Sequence, residues 1–417
     1  MNCLPLTTKF VLLTGAVLLV AAPIPAADDA TWTQWRGPSR DGRISGPTWP
    51  GTLEQEQLAL EWSAPLGPSY SGPIVSSDRI FVTETKDKKF ELVRAFDRSN
   101  GKQIWETQWE GSMSVPFFAA SNGSWIRATP ALEGERLYVG GMRDMLVCLD
   151  AGSGKTVWKV DFVATMNSAP PTFGFVSSPL VHGDSVYVQA GGGVVRLDKL
   201  TGKILWKSLD DGGGMDGSAF SSPVIATIAG QEQLVVQSRT RLAGVSLQDG
   251  SVYWSQEIPA FRGMNILTPT VIGDSIFTSS YGGKSALLGI VRNGSGWQVS
   301  EVWTHKSQGY MSSPVVVGEQ IYLHLRNQRC VCLDAATGKE RWTTTPFGKY
   351  WSLIANGDKL LALDQNGELL LIQASPDAFK LIARRKVAED SWAHLAIAGD
   401  QLVVRDLDAV KTFRWHP

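Results

Sequence analysis

Short alternating runs of hydrophobic and polar residues recur along most of this 417-residue chain. Stretches such as DSVYV and EQIYL place β-branched and aromatic residues at alternate positions, between turns rich in Gly and Asp. This alternation predicts half-buried β-strands joined by tight hairpins, and no segment has the period of a long amphipathic helix. Four such strands form a unit that repeats about every 45 residues, which predicts a β-propeller.

Two signatures mark the units. The first is Ser-Pro or a relative, then Gly or Ser and a β-rich run, in eight copies from SGPIVSSDRIFV to WAHLAIAGDQLVV. The second signature is a Gly four residues before a Trp, and it occurs at Gly101/Trp105, Gly154/Trp158, Gly202/Trp206, Gly250/Trp254 and Gly338/Trp342. Trp303 is a degenerate member of this signature because Val299 stands where its glycine belongs, and the seventh unit has lost its tryptophan.

The two ends of the chain complete the ring. The eighth unit supplies only three strands, whereas an unassigned strand, LALEWSAPL at residues 58–66, precedes the first unit. We expect this strand to become the outermost strand of the last blade, since that pairing removes an exposed sheet edge. The sequence therefore predicts an all-β, eight-bladed propeller over residues 58–417, with seven blades as the alternative. A lead-in at 28–57 that contains WRGPSRDG precedes it.

The recurring Gly and Trp are expected to be structural. In Asp-x-x-Thr-Gly-Lys the Asp can accept backbone N–H bonds across the turn, and Gly supplies a positive φ. The Trp falls on the outer strand, where blades diverge, and burying about 200 Å² of its ring contributes a few kcal/mol at roughly 25 cal/mol per Å². We assign a role in docking one blade onto the next to Trp105, Trp158, Trp206, Trp254 and Trp342.

The N-terminus predicts export. Lys9 precedes an apolar run from Phe10 to Ala22, and the alanine-rich PIPAADDA follows. This order is typical of a secretory signal peptide over residues 1–27, cleaved near Ala26 or Ala27. The run is shorter than the roughly 20 residues of a membrane span, so an uncleaved anchor is the alternative. We expect a periplasmic protein.

Charge and cysteine content exclude several classes of protein. Lys plus Arg (39) nearly balances Asp plus Glu (40) with no long run of either sign, which argues against nucleic-acid binding. Cys148, Cys330 and Cys332 are too few for a disulfide scaffold, and we expect them to pack as small apolar residues. The five histidines show no ligand spacing, so no metal site is predicted from them.

The repeat resembles a known family. LDAATGKERW and its relatives are similar to the tryptophan-docking motif of the pyrroloquinoline quinone (PQQ) repeat family. TQWRGPSRDG, at residues 33–42, resembles the lead-in of exported bacterial members, and the resemblance covers residues 32–415. It implies the propeller fold and docking tryptophans that do not touch cofactor. It leaves activity open, because the family includes both quinoprotein dehydrogenases and non-enzymatic assembly factors similar to BamB.

The sequence contains few of the motifs that a quinoprotein dehydrogenase needs. Such an enzyme needs Ca²⁺, held by carboxylate and amide oxygens, to bind and polarise PQQ. The chain has no adjacent cysteines and no CxxCH haem motif, and AGSGKT lacks the first glycine of a phosphate loop. Asp211 and Asp216 in DDGGGMDG are the best candidates for a calcium loop, although a solvated turn is the favoured interpretation. No catalytic residue is assigned, and a short quinoprotein oxidoreductase with PQQ and calcium is the alternative hypothesis.

The loops between blades carry the main functional hypothesis. In a propeller they open on one face, around the central channel, and nearly all deliver an aromatic or Met residue. Such loops suit a protein or peptide partner, and we expect a monomeric, non-catalytic binding or assembly scaffold. Association with a peripheral membrane complex is compatible with this expectation. The alternative is that these side chains fill the seams between blades. The candidate ligand-binding residues are Tyr70, Trp125, Arg127, Phe175, Phe220, Arg262, Met264, Tyr310, Tyr350, Trp351 and Trp392.

Overall fold

The computed structural model describes residues 30–416 except positions 47, 216, 218 and 295, and these residues form eight four-stranded blades. The predicted eight-bladed propeller is confirmed, and the seven-blade alternative is wrong. The predicted signal peptide, its cleavage site and Asp216 lie outside the described residues.

In the first six blades the strands follow one another from the channel outward. Blade 1 consists of Ile74–Val75, Arg79–Lys86, Phe90–Asp97 and Gln103–Glu110. Blade 2 consists of Ala131–Glu133, Arg136–Gly141, Met145–Asp150 and Thr156–Asp161. Blade 3 consists of Leu180–His182, Ser185–Ala190, Gly193–Asp198 and Ile204–Ser208. Blade 4 consists of Val224–Ile228, Gln231–Gln237, Arg241–Val245 and Val252–Glu257.

Blade 5 consists of Thr270–Ile272, Ser275–Ser279, Ser285–Asn293 and Gly296–His305. Blade 6 consists of Val315–Val317, Gln320–His324, Cys330–Asp334 and Glu340–Thr343. Blade 7 consists of Trp351–Asn356, Lys359–Asp364, Glu368–Gln373 and Lys380–Lys386, and a short strand at Arg43–Ile44 joins its inner edge in parallel. Short helical turns in the inter-blade loops span Phe117–Asn122, Phe162–Met166 and Phe261–Gly263.

The last blade closes the ring as predicted. Its strands from the C-terminal part of the chain are Ala396–Ala398, Gln401–Arg405 and Ala409–Trp415. The N-terminal strand Leu58–Pro65 pairs antiparallel with the last of them, in a register that runs from Leu58 opposite Trp415 to Pro65 opposite Ala409. Because both chain ends share one sheet, the C-terminal strand Ala409–Trp415 is paired on both sides and the ring is closed.

The Gly and Trp of one repeat unit pack in different seams, where a seam is the contact between two neighbouring blades. At each glycine a Cβ atom would lie 2.4–2.9 Å from an indole carbon of the preceding blade, so the ring packs directly on the glycine. The indole N–H then donates to a carbonyl of the next blade's turn, as in Trp105 to Ala151 O at 3.0 Å. The packed pairs are Trp62/Gly101, Trp105/Gly154, Trp158/Gly202, Trp206/Gly250 and Trp303/Gly338.

This arrangement reverses two expectations. Trp303 lacks its own motif glycine, yet it docks on Gly338 of blade 6 and donates to Ala335 O at 2.9 Å. Trp254 has its own glycine but donates to Gln233 Oε1 of the same blade, at 2.7 Å. The reason is that Trp254 faces blade 5, whose outer hairpin extends to Asn293 and contains no Asp-x-x-Thr-Gly turn.

The lead-in crosses the central channel and contacts the inner strands of the blades. Trp32 forms a backbone bridge with Val75 of blade 1, and Leu132 N of blade 2 donates to Thr33 O at 2.7 Å. The Arg40 guanidinium donates to carbonyl groups of blades 3 and 4, and that of Arg36 donates to Pro314 O beside blade 6. We call residues 31–44 the plug.

Two further findings bear on the class of protein. Cys148, Cys330 and Cys332 are buried as free thiols, in agreement with the expected packing role, and burial raises the pKa of Cys148 to about 12. Within the described ranges, helices are too short and too polar to cross a membrane.

An aromatic cavity at the mouth of the channel

The loops between blades meet above the plug and enclose a cavity of about 190 Å³. Its lining is mainly aromatic and apolar, and each loop between consecutive blades contributes at least one side chain. Trp35 contributes from the plug. The lining residues are Trp35, Tyr70, Ala119, Asn122, Arg127, Phe173, Val176, Ser178, Phe220, Ser222, Met264, Ile266, Thr268, Tyr310, Met311, Tyr350 and Trp392.

The plug supplies the floor of the cavity. Trp35 donates its indole N–H to Thr268 Oγ1 at 2.8 Å and meets the His394 ring edge-on at 5.1 Å. The hydroxyl oxygens of Ser178 and Ser222, also on the floor, accept hydrogen bonds from backbone N–H groups of the loops. The indole N–H of Trp35 and the hydroxyl oxygens of Ser178 and Ser222 therefore all have hydrogen-bond partners.

Three nearly parallel rings form one wall. Trp392 stacks against Tyr70 with ring centres 5.2 Å apart and an interplanar angle of 21°. Trp392 also stacks against Tyr350 at 6.3 Å and 18°. Stacked rings of this kind present flat faces, onto which another planar group can pack.

The opposite wall continues outward to an exposed rim. Phe220 lies 5.5 Å from Phe173, which in turn lies 6.2 Å from Phe118. The Arg239 guanidinium covers the Phe220 ring at 4.6 Å, an attractive cation–π arrangement. Phe118 and its neighbour Phe117 are 49% and 91% exposed, so the aromatic surface extends from the cavity into solvent.

Seven of the eleven candidate ligand-binding residues line the cavity, namely Tyr70, Arg127, Phe220, Met264, Tyr310, Tyr350 and Trp392. Trp125 lies behind the wall, edge-on to Tyr70 at 5.1 Å. Arg262 is outside on the rim, with its guanidinium 5.2 Å from the Phe261 ring.

The remaining two candidates are in the core and not on the loop face. Phe175 is buried against Gly140, whose Cβ would lie 2.5 Å from the ring. Trp351 begins the inner strand of blade 7 and stacks on His324 at 5.1 Å. Both side chains fill seams, as the alternative interpretation of the loops expected. Trp35, Phe173 and Met311 also line the cavity but are not among the predicted residues, although Phe173 is only two residues from the predicted Phe175.

The described residues contain no cluster of three His, Cys, Asp or Glu side chains able to hold a metal ion. Asp211 Oδ1 accepts the Gly213 N–H at 3.1 Å within its own loop. Of the lining residues described above, none is Asp or Glu.

A buried carboxyl at the seam of blades 2 and 3 makes stability depend on pH. Asp144 is 3% exposed and its Oδ2 accepts the Gly191 N–H at 2.7 Å. Burial, with smaller contributions from the charges of Asp161 and Asp211, raises the pKa of Asp144 to about 7. The pKa of Asp144 is higher in the folded protein than in the unfolded chain. The contribution of its protonated carboxyl to the free energy of unfolding is therefore fully present below about pH 4 and is lost as the pH rises through 7.

Asp144→Asn is therefore expected to raise the free energy of unfolding at pH 8, on the order of 3 kcal/mol, with the gain vanishing near pH 4. Asn is well suited to the position, because residue 144 has a φ of 63° and Asn tolerates that region. Urea unfolding of both proteins between pH 4 and 8 measures the difference. A gain that does not change with pH would contradict the assignment.

Together, the tryptophan-docked blades and the plugged channel define an eight-bladed propeller with one aromatic cavity at its mouth. A family model described as outer membrane protein assembly factor BamB matches residues 88–344, more than half of the chain. The chain therefore belongs to this family of PQQ-like propellers.

Three comparisons illustrate its relatives. BamB of Moranella endobia (strain PCIT) is 24% identical over 364 residues, covering 82% of this chain and 87% of that protein. Polyvinylalcohol dehydrogenase of Sphingopyxis sp. (strain 113P3) is 27% identical over 203 residues, 45% of this chain and 30% of the enzyme. The crystal structure of BamB from Moraxella catarrhalis superimposes with a TM-score of 0.63 at 14% identity, covering 86% of this chain and 98% of that one.

Proposed function

We propose that this protein is an exported, non-catalytic scaffold that docks a protein partner on the loop face around its aromatic cavity. The observation that carries the proposal is the cavity itself, which is lined by aromatic and Met side chains and, in the described part of the protein, by no carboxylate. Relatives named outer membrane protein assembly factor support a role in assembly. We place it in the periplasm as a monomer, released by cleavage of its signal peptide and associated with a membrane complex through its partner.

The rim supports docking of a polypeptide. Phe117 is 91% exposed, Phe118 is 49% exposed and Phe261 is 48% exposed, all on loops that surround the cavity. Arg262 lies among them, with its guanidinium 5.9 Å from the Phe118 ring. Exposed aromatic residues with a cation between them are typical of surfaces that a partner covers.

A photo-crosslinking experiment tests the proposal. Benzoylphenylalanine is introduced at Phe117 or Phe261 on the rim, and at Leu205 as the control. Leu205 is 44% exposed but lies on the outer strand of blade 3. In cells that express the protein, irradiation should give a discrete adduct from both rim positions and none from Leu205. Equal adducts at all three positions, or none at the rim, would refute docking on this face.

The dehydrogenase relative favours a second function, a PQQ- and calcium-dependent oxidoreductase of short form. The lining does not fit that cofactor, because Ca²⁺ takes six to eight oxygen ligands including carboxylates and none of the described lining residues is Asp or Glu. Mixing the protein with micromolar PQQ and Ca²⁺ separates the two functions. Quinone absorbance that stays with the protein, together with dye-linked activity, would establish the oxidoreductase in place of the scaffold.

A further inference from the structure

Arg127 brings a positive charge into the cavity without a counterion. Its Nε donates to Trp125 O at 3.1 Å and its Nη2 to Gly123 O at 3.0 Å, while Nη1 has no hydrogen-bond partner among the described residues. Burial lowers the pKa of Arg127 to about 10, so the guanidinium is still protonated at neutral pH. A half-buried, charged guanidinium that lacks a carboxylate partner favours an anionic ligand.

Three tyrosines of the cavity can also donate hydrogen bonds. Tyr70, Tyr310 and Tyr350 line the cavity, and no hydrogen bond links their hydroxyls to the described part of the chain. Burial raises the pKa of each, in Tyr70 to about 12, so all three carry their protons at neutral pH. Phenol hydroxyls and a guanidinium N–H can together saturate the oxygens of a carboxylate.

The size and shape of the cavity restrict what carries that carboxylate. A dry protein cavity of roughly 150 Å³ holds one benzene molecule. At about 190 Å³ this cavity accommodates one aromatic ring with a small appendage. The flat wall of Tyr70, Trp392 and Tyr350 offers a face on which such a ring stacks.

We propose that the cavity binds the C-terminal aromatic residue of a partner polypeptide, with its ring on the Trp392 wall and its terminal carboxylate on Arg127. A chain terminus provides the ring and the carboxylate on one residue. An internal segment would have to place two side chains in a cavity that has room for only one. The preceding residues of the partner leave through the open mouth, toward the exposed Phe117 and Phe118. This inference deepens the docking function proposed above and rests on it.

Calorimetric titration of the intact mature protein tests the inference on the ligand side. The probe is an acetylated pentapeptide of Gly and Ser that ends in Phe, used with a free C-terminal carboxylate or as the C-terminal amide. The acid should bind at least about tenfold more tightly than the amide, since a hydrogen-bonded charge pair is lost with the amide. Equal affinities, or no binding of either peptide at millimolar concentration, would overturn the proposal.

The source of the carboxylate is tested with 3-phenylpropanoate, which has the ring and carboxylate but no chain. It should bind more weakly than the peptide acid. If it binds as tightly, a free aromatic acid is the ligand and the partner terminus is not.

On the protein side, Arg127→Met should weaken the acid by about tenfold or more and leave the amide unchanged. The control is Arg143→Met, which removes an exposed guanidinium that donates to Ser112 O at 3.0 Å outside the cavity. This control should bind both peptides as the wild type does. Wild-type affinity of Arg127→Met for the acid would overturn the proposal.

If Arg127→Met fails to fold, the comparison of acid and amide on the wild type still decides. The crosslinks at Phe117 and Phe261 report separately on docking. Rim adducts without peptide binding would therefore refute the terminal-residue site and leave the scaffold function standing.

Discussion

Replacing Gly338 by alanine will destabilise the propeller by about 3–5 kcal/mol, whereas the same change at Gly357 will cost about 1 kcal/mol. Both glycines have a positive φ, 69° and 56°, so alanine is strained by a similar amount at either position. They differ in their surroundings. A Cβ at Gly338 would lie 2.4 Å from the Trp303 ring, while a Cβ at Gly357 would have no heavy atom within 4 Å.

A double-mutant cycle attributes the excess cost to the docked ring. In a Trp303→Ala background, Gly338→Ala should cost no more than Gly357→Ala, because the group that the new Cβ displaces has been removed. Urea unfolding followed by circular dichroism compares the wild type, the three single variants and the double variant without relying on tryptophan fluorescence. Equal costs at Gly338 and Gly357 in the wild-type background would show that the glycine is present for its φ alone.

The repeat explains why the fold could be predicted from sequence. Each unit contains its own hairpin signals, and Asp334 shows how local they are, since its Oδ1 accepts both the N–H and the hydroxyl of Thr337 at 2.9 and 2.7 Å. The seam between blades in which a residue packs is not determined by its own repeat unit, because its partner belongs to another blade. Val299 in place of glycine made Trp303 a degenerate member of the signature, yet the glycine on which Trp303 packs is Gly338, in the next blade.

The cavity was only partly predictable. Loop position and residue type located seven lining residues, but they could not distinguish Phe173 in the cavity from Phe175 in the core. Likewise, Tyr350 lines the cavity while the adjacent Trp351 starts a strand and packs inward. Irregular loops have no period that fixes the direction of a side chain, so burial there is decided by tertiary contacts.

The plug has no sequence signature of its function, because its partners are backbone carbonyl groups. Arg40 donates to Pro223 O at 2.9 Å, Pro179 O at 2.8 Å and Ser178 O at 3.1 Å. Any residue supplies a carbonyl, so nothing in the repeat units announces that an arginine will bind there. Burial and, to a smaller extent, the nearby charge of Arg36 lower the pKa of Arg40 to about 9, and the group stays protonated at neutral pH.

Arg40→Met is therefore expected to lower the free energy of unfolding by about 3–5 kcal/mol, because three buried carbonyl groups lose a charged donor while the apolar stem is kept. Arg43→Met is the matched control in the same segment. Arg43 is exposed and joins blade 7 only through its backbone pairing with Ala355, so its replacement should change stability by less than about 0.5 kcal/mol.

Native-state hydrogen exchange shows where the protein loosens. The Ala355 N–H donates to Gly42 O of the plug at 2.8 Å, so its exchange should accelerate in Arg40→Met and not in Arg43→Met. Because Trp35 of the plug forms the cavity floor, Arg40→Met should also weaken binding at the cavity even at temperatures where the blades are intact. Equal unfolding free energies for the two variants would show instead that the contacts of Arg40 with the blades do not stabilise the propeller. The plug would then form the floor of the cavity without holding the blades together.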